Sequence, residues 1–156
     1  MTFRGQHEHS LDSKDRVTVP SVYRRAFSEG VVLIPSLDPC IEIYTEEGAT
    51  HFESRFLDGA DLLTGEARDL QRNFYSRSVS VELDGAGRIR IPKALAEHAG
   101  IDSRCVVVGV GRRLEIWNPE KWAVIRESFI ARASQIASGV SARSAGAITA
   151  TGPSGS

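Results

Sequence analysis

Two stretches of the chain set out apolar and polar residues in the same order. In Leu11-Asp12-Ser13-Lys14-Asp15-Arg16-Val17-Thr18-Val19-Pro20, and again in Leu83-Asp84-Gly85-Ala86-Gly87-Arg88-Ile89-Arg90-Ile91-Pro92, Leu-Asp leads to a tight polar turn and then to Arg. An alternation of branched apolar and polar residues follows and ends at Pro. A period of two bounded by turn residues reads as strand, turn, strand. Arg16 and Arg88 fall at the mouths of the turns, where a guanidinium can project outward while the Val and Ile residues after it anchor the strand in a core. After each Pro comes a segment that can coil, residues 21–29 and 93–99, closed by Gly30 and Gly100. Pro at the first helical position and Gly just past the last mark a short helix. The chain is therefore an internal duplication.

The repeat extends well beyond the turns. Phe3 to Leu11 has the mixed alternation of an edge strand leading into the first turn. Val31 to Ile34 is a compact apolar run, residues 35–39 form a loop, and Cys40 to Tyr44 alternates, which together predict a hairpin. Cys105 to Val110, a turn at Gly111-Arg112-Arg113, and Leu114 to Trp117 predict the same hairpin again. Ile41-Glu42-Ile43-Tyr44 and Leu114-Glu115-Ile116-Trp117 agree position by position in residue type. Each half ends in helix. In the second half Asn118 is a good N-cap, Pro119 takes the first helical position, and Trp122, Ile125, Phe129, Ala133 and Ile136 fall on one face, a packing stripe. In the first half Thr50 and Glu53 have capping-box spacing ahead of Phe56 and Leu57, and residues 66–75 form a further helix that bridges the halves. From Gly139 onward Ser, Ala, Gly, Thr and Pro dominate and the periodicity stops, which predicts a disordered tail. The expected organisation is a first half at 1–78 with the bridging helix, a second half at 79–138, and the tail at 139–156.

A half of this size is marginal alone, and both halves expose strand edges. Interleaving the hairpins about a pseudo-two-fold axis would bury one shared core and bring the two turns onto one face. The expected fold class is α+β, mainly β: a duplicated barrel with short helices and two pseudo-symmetric halves. With 156 residues, 41% of them apolar, the chain has enough material for that core.

Charge and chemistry narrow the function. The net charge of −1 excludes a uniformly basic nucleic-acid binder but not a local patch. Lys14, Arg16, Arg24 and Arg25 against Asp15 make such a patch. No run reaches the roughly eighteen apolar residues of a membrane span, and Met1 to His9 lacks the apolar centre of a signal peptide, so a cytoplasmic protein is expected. Cys40 and Cys105 and the four histidines show no zinc spacing. His7 and His9 share one strand face without an evident third ligand. Gly109-Val110-Gly111 lacks the third glycine and the helix of a nucleotide fingerprint, and Glu82 and Asp84 flank a surface turn. No nucleophile, base and orienting group can be assembled, so neither an enzyme nor a cofactor is expected. A paired set of outward arginine loops suits phosphate or base contact with double-stranded DNA.

Taken together, the two Leu-Asp to Pro motifs, Arg4-Gly5 near the start, and Val106 to Val110 leading to Leu114-Glu115-Ile116-Trp117 resemble the MraZ family of bacterial transcriptional regulators of the division and cell-wall gene cluster. The resemblance runs from about Phe3 to Ile136. It implies a swapped-hairpin, AbrB-like barrel with both halves in one chain, and homo-oligomeric rings of about eight subunits. It also implies nucleoid association and binding, as a repressor, to tandem short repeats upstream of the protein's own gene cluster. On this sequence the family's DNA-contacting motif falls on Lys14 and Arg16, with Arg4 nearby in sequence and Arg88 the second-half counterpart of Arg16. The family usually has Gly where Asp15 stands, whereas Gly87 keeps it. Asp15 either repels phosphate beside Lys14 and Arg16 or accepts from a cytosine amino group. A ring-forming scaffold without DNA binding is the alternative from another class.

Overall fold

The computed structural model describes residues 1–59 and 61–150, with 145–150 described by their backbone alone. Its elements are β1 (Gln6–Ser10), β2 (Arg16–Thr18), a 3-10 helix (Ser21–Phe27), β3 (Val31–Pro35), β4 (Ile41–Thr45), α1 (Glu46–Phe56), α2 (Gly65–Arg77), β5 (Val79–Val81), β6 (Arg88–Arg90), α3 (Lys93–Ala99), β7 (Arg104–Gly109), β8 (Leu114–Trp117) and α4 (Pro119–Ala150). The chain forms two compact units, Met1–Pro119 and the segment from Glu120 onward. The expected 78/79 boundary would fall between α2 and β5.

Within the first unit the repeats interleave. Six strands form one antiparallel sheet in the order β1-β7-β8-β4-β3-β5, and β2 pairs with β6 as a separate ribbon. Exchanging the halves (β1 with β5, β3 with β7, β4 with β8) turns this order into its own reverse, which is what a pseudo-two-fold axis between β4 and β8 requires. The register agrees, because equivalent residues face each other at both crossings of the axis: Glu42 opposite Glu115, and Val17 opposite Ile89.

One sheet face carries Val31, Leu33, Ile41, Ile43, Val107, Leu114 and Ile116 into a common core. The ribbon residues Val17, Val19, Ile89 and Ile91 close that core, with Tyr23 and Phe27 from the 3-10 helix and Leu95 and Ala99 from α3. Fully burying a Val or Ile contributes roughly 1.5–3 kcal/mol, so Val17 and Ile89 tie the exposed ribbon to the sheet. Val32, Ile34 and Tyr44, of opposite parity, meet Ala49 and Leu57 of the α1 region and Phe74 of α2 on the other face.

At the sheet crossing that second face is polar. Glu42 and Glu115 are both buried. Glu115 receives Arg113 Nη2 at 2.8 Å and Trp117 Nε1 at 2.9 Å. Glu42 receives Ser36 Oγ at 3.0 Å and Tyr44 Oη at 3.1 Å, and Arg113 Nε lies 3.6 Å away. Desolvation pushes the Glu42 carboxyl above its ordinary range, and Arg113 with the two hydroxyl donors only partly offsets it.

Several expectations change. No closed barrel forms among the described residues. The strands divide instead into an open six-stranded sheet, ending at β1 and the three-residue β5, and a ribbon laid over one face. The protein is α+β but not mainly β, since α4 alone runs 32 residues. The tail expected to be disordered from Gly139 is helical as far as Ala150. Propagating a helix already nucleated at Pro119 is far easier than starting one, and Ala, the best helix former, recurs up to Ala150. Residues 151–156 of that expected tail lie outside the described residues. On the α4 stripe Trp122 and Ile125 are half-buried, while Phe129, Ala133 and Ile136 are exposed. Helix α1 starts earlier than the Thr50 spacing suggests: Thr45 is its N-cap, accepting from Gly48 N at 2.9 Å, with Glu46 and Glu47 in the first turn against the helix dipole.

Candidate nucleic-acid interface

Each repeated motif folds its turn around its own aspartate. Asp12 Oδ1 accepts from the backbone N–H of Lys14 at 2.9 Å and of Arg16 at 3.0 Å. Asp84 Oδ1 accepts from Ala86 N and Arg88 N, both at 2.9 Å. Asp15 (φ 58°) and Gly87 (φ 74°) take the left-handed conformation that lets the chain double back. Leu-Asp is thus repeated because a short acceptor two residues before the tip replaces a backbone partner for the turn.

The second oxygens of the same aspartates hold the arginines. Arg16 Nε lies 2.8 Å from Asp12 Oδ2, and Arg88 Nε 2.8 Å from Asp84 Oδ2. Each guanidinium also reaches across the axis: Arg16 Nη1 lies 3.6 Å from Asp84 Oδ2, and Arg88 Nη1 3.6 Å from Asp12 Oδ2. The four residues close a charge-balanced ring that joins the halves. At Asp12 desolvation works to raise the carboxyl, but the Arg16 and Lys14 N–H donors and the Arg16 guanidinium outweigh it, holding the carboxyl below its ordinary range. At Asp84 the Arg88 N–H is the main cause of the same lowering. Backbone bonds complete the cross-tie, from Ile91 N to Asp15 O and from Val19 N to Gly87 O, both 2.9 Å.

Val17 and Ile89 point into the core, so Arg16, Thr18, Arg88 and Arg90 share the ribbon's outer face. Lys14 is exposed at the first loop tip. Arg24 extends from the 3-10 helix over the second loop, where a Cβ on Gly87 would meet its Cδ at 2.6 Å, and its Nε donates to Val19 O at 3.1 Å.

Lys14, Arg16 and Arg88 therefore come together. Arg4 does not join the ring: its backbone bonds Tyr23 Oη through both N and O, where the chain crosses closely over Gly109. Sequence reasoning missed the ring-forming role of Asp12 and Asp84, although their repetition with the arginines was the available signal. It also passed over Arg90, whose position after Ile89 in a period-two strand was readable. Among the described residues no cluster of three or more His, Cys, Asp or Glu could hold a metal ion, and no helix is long and apolar enough to cross a membrane.

Comparison with known proteins identifies the family. The family model described as "MraZ protein, putative antitoxin-like" matches twice, over residues 2–73 and 74–139, one match per repeat. A protein of Lachnoclostridium phytofermentans is 40% identical over 122 residues, covering 77% of this chain and 84% of its own. Proteins of Ligilactobacillus salivarius and Alkaliphilus metalliredigens are each 38% identical over 120 residues, covering 77% of this chain and 83% of their own. All three carry the name transcriptional regulator MraZ, a regulator's name and not an enzyme's.

Proposed function

The chain belongs to the MraZ family, and from that premise we propose that it is a DNA-binding transcriptional regulator that reads duplex DNA with its loop-and-ribbon face. In the finer form of this reading it is a repressor of its own division and cell-wall gene cluster, acting in the nucleoid on tandem short repeats upstream of it. Its halves pair as an AbrB-like swapped-hairpin unit, and its subunits form a ring of about eight, so that several loops meet successive repeats.

The observation that carries the reading is the cross-tied ring. A two-stranded ribbon is narrow enough for the major groove, and arginine is the residue best suited to guanine O6 and N7. Asp12 and Asp84 meet each arginine through Nε and Nη1, and the Arg16 and Arg88 side chains remain 26% and 34% exposed. A guanidinium held on one side and open on the other is ordered before DNA arrives, which lowers the entropy cost of binding. Lys14 contributes a phosphate contact from the first tip, and Arg4 a peripheral one.

The test is binding to the duplex immediately upstream of the protein's own gene, at two salt concentrations. Lys14, which takes no part in the ring, is the informative position. Lys14→Ala is expected to keep its circular dichroism and oligomer size, to bind more weakly, and to lose about 0.9 of log–log salt slope for each contact removed. Absence of wild-type binding at either salt favours the scaffold reading instead. Light scattering on a size-exclusion column tests the ring, and a monomer at micromolar concentration overturns it.

A further inference from the structure

We propose that Arg90, which lies outside both repeated turns, is a DNA-contacting residue that gives the ribbon a direction, so that each copy engages its DNA element in a single orientation. The inference rests on the DNA-binding reading above and adds a residue and a property to it.

The ribbon is symmetric in backbone but not in charge. Arg16 and Arg88 are equivalent across the axis, as are Val17 and Ile89, but the equivalent of Arg90 is Thr18. Arg90 is fully on the solvent face, and among the described residues it has no ion pair, whereas Arg16 and Arg88 are both held by aspartates. The register sets Arg90 directly opposite Arg16. Like charges directly opposite each other on a ribbon destabilise it. The arrangement gains nothing for the free protein, and an anion laid across that end of the ribbon would relieve it.

The position singles out one end. Ile91 N donates to Asp15 O, so Arg90 stands beside the first loop, next to the acidic residue that replaces glycine there. At the other end Thr18 stands beside Gly87, and both positions are neutral. The first-loop end therefore carries Lys14, Asp15, Arg16 and Arg90. The second-loop end carries Ala86, Gly87 and Arg88, with Arg24 folded onto the loop from the side. A ribbon whose two ends differ this way fits a non-palindromic element better in one direction than in the other, because the first-loop end offers Lys14 and Arg90 for guanine and phosphate beyond the arginine that both ends share.

The experiment uses the full-length chain and a labelled duplex of the sequence immediately upstream of its own gene. Arg90→Ala is expected to bind at least tenfold more weakly with its oligomer size unchanged, and Arg90→Lys to recover the salt slope without the full affinity. Direction is read with an iron chelate tethered at Ala86→Cys, which can be labelled selectively because Cys40 and Cys105 are buried. In the otherwise wild-type chain, cleavage is expected on one side of each bound element. Adding Thr18→Arg, which gives the two strands of the ribbon the same charges, is expected to keep binding and to give cleavage on both sides. If Arg90→Ala binds like wild type at matched salt while Lys14→Ala weakens binding, the role of Arg90 is overturned and the DNA-binding reading stands. Two-sided cleavage before Thr18→Arg is introduced overturns the directional claim, and no wild-type binding at all overturns both.

Discussion

The pseudo-two-fold axis passes through two charged clusters that could hardly be less alike. At the ribbon, Asp12, Arg16, Asp84 and Arg88 balance two acids with two bases in partial contact with water, and each residue has an identical equivalent. At the sheet, Glu42 and Glu115 are buried, and one guanidinium, from Arg113, serves both. The position equivalent to Arg113 in the first half is Cys40, so duplication supplied the acid twice but the base once. The difference teaches that symmetry is kept where each half's base meets the other half's acid, and lost where one base suffices for both acids.

The two clusters also respond oppositely to pH. Asp12 and Asp84 have carboxyls held below their ordinary range, so their contribution is fully present above the usual aspartate pKa of about 3.9 and is lost as pH falls through the folded value. Glu42 is raised, so its contribution is complete below the usual glutamate pKa of about 4.3 and is lost as pH rises through the folded value.

The largest effect is expected from removing the single base at the buried crossing. Arg113→Ala leaves two facing carboxylates without their counter-ion. Breaking a buried pair from one side costs about 3–5 kcal/mol, and the partial exposure of Arg113 points to the lower end. Urea denaturation at pH 7 measures it, and adding Glu42→Gln is expected to return part of the loss. A loss below about 1 kcal/mol would mean that the cluster is already relieved by uptake of a proton.

Next in size is a change at the second loop. Gly87→Asp places in that loop the residue the first loop already has. The left-handed backbone alone costs about 1 kcal/mol for a residue with a Cβ. The added atoms must also displace Arg24, whose equivalent at the first loop is Ala96, and that brings the expected loss to about 2 kcal/mol. Combining Gly87→Asp with Arg24→Ala is expected to recover the steric part alone. If both loops tolerate aspartate equally, Arg24 does not distinguish them.

Glu42→Gln is expected to act in the opposite direction. Because the folded protein favours the neutral carboxyl, a neutral isostere whose carbonyl oxygen accepts from one of the Ser36 and Tyr44 hydroxyls and whose NH2 donates to the other should raise stability at pH 7 by on the order of 1 kcal/mol. The gain should vanish as pH falls below the ordinary glutamate range, where wild-type Glu42 is itself protonated. A pH-independent gain would assign the effect to packing instead.

What was legible in the chain was what local pattern encodes. The duplication, both hairpins, the helix over Lys93–Ala99 and the turn at Asp12 follow from period, proline, glycine and acceptor spacing, which act within a few residues. The ring was not legible, because Arg16 meets Asp84 only through the packing of one half on the other. Nor was the splitting of the strands into sheet and ribbon, since pairing partners far apart in sequence are chosen by the shared core. The helix beyond Gly139 was missed for another reason: composition was weighed there without the helix already running into it.

The smallest effect is expected at Asp15, where the two loops can be made alike from the other side. Asp15→Gly removes a Cβ from a backbone at φ 58°, relieving about 1 kcal/mol of left-handed strain. Glycine also loses more freedom on folding, by roughly 0.5–1 kcal/mol, so the net change in stability should stay within about 0.5 kcal/mol. The charge should matter more than the backbone. A carboxylate between Lys14 and Arg16 opposes an approaching phosphate, so its removal is expected to tighten DNA binding a few-fold at low salt, with the gain fading as salt screens the site. Asp15→Asn, which keeps a side chain suited to the left-handed turn, should reproduce the gain if charge is the cause. If both variants instead lose affinity at one base pair and leave the others unchanged, Asp15 accepts from a cytosine amino group. Its place beside Arg90 would then make the first-loop end the one that reads sequence.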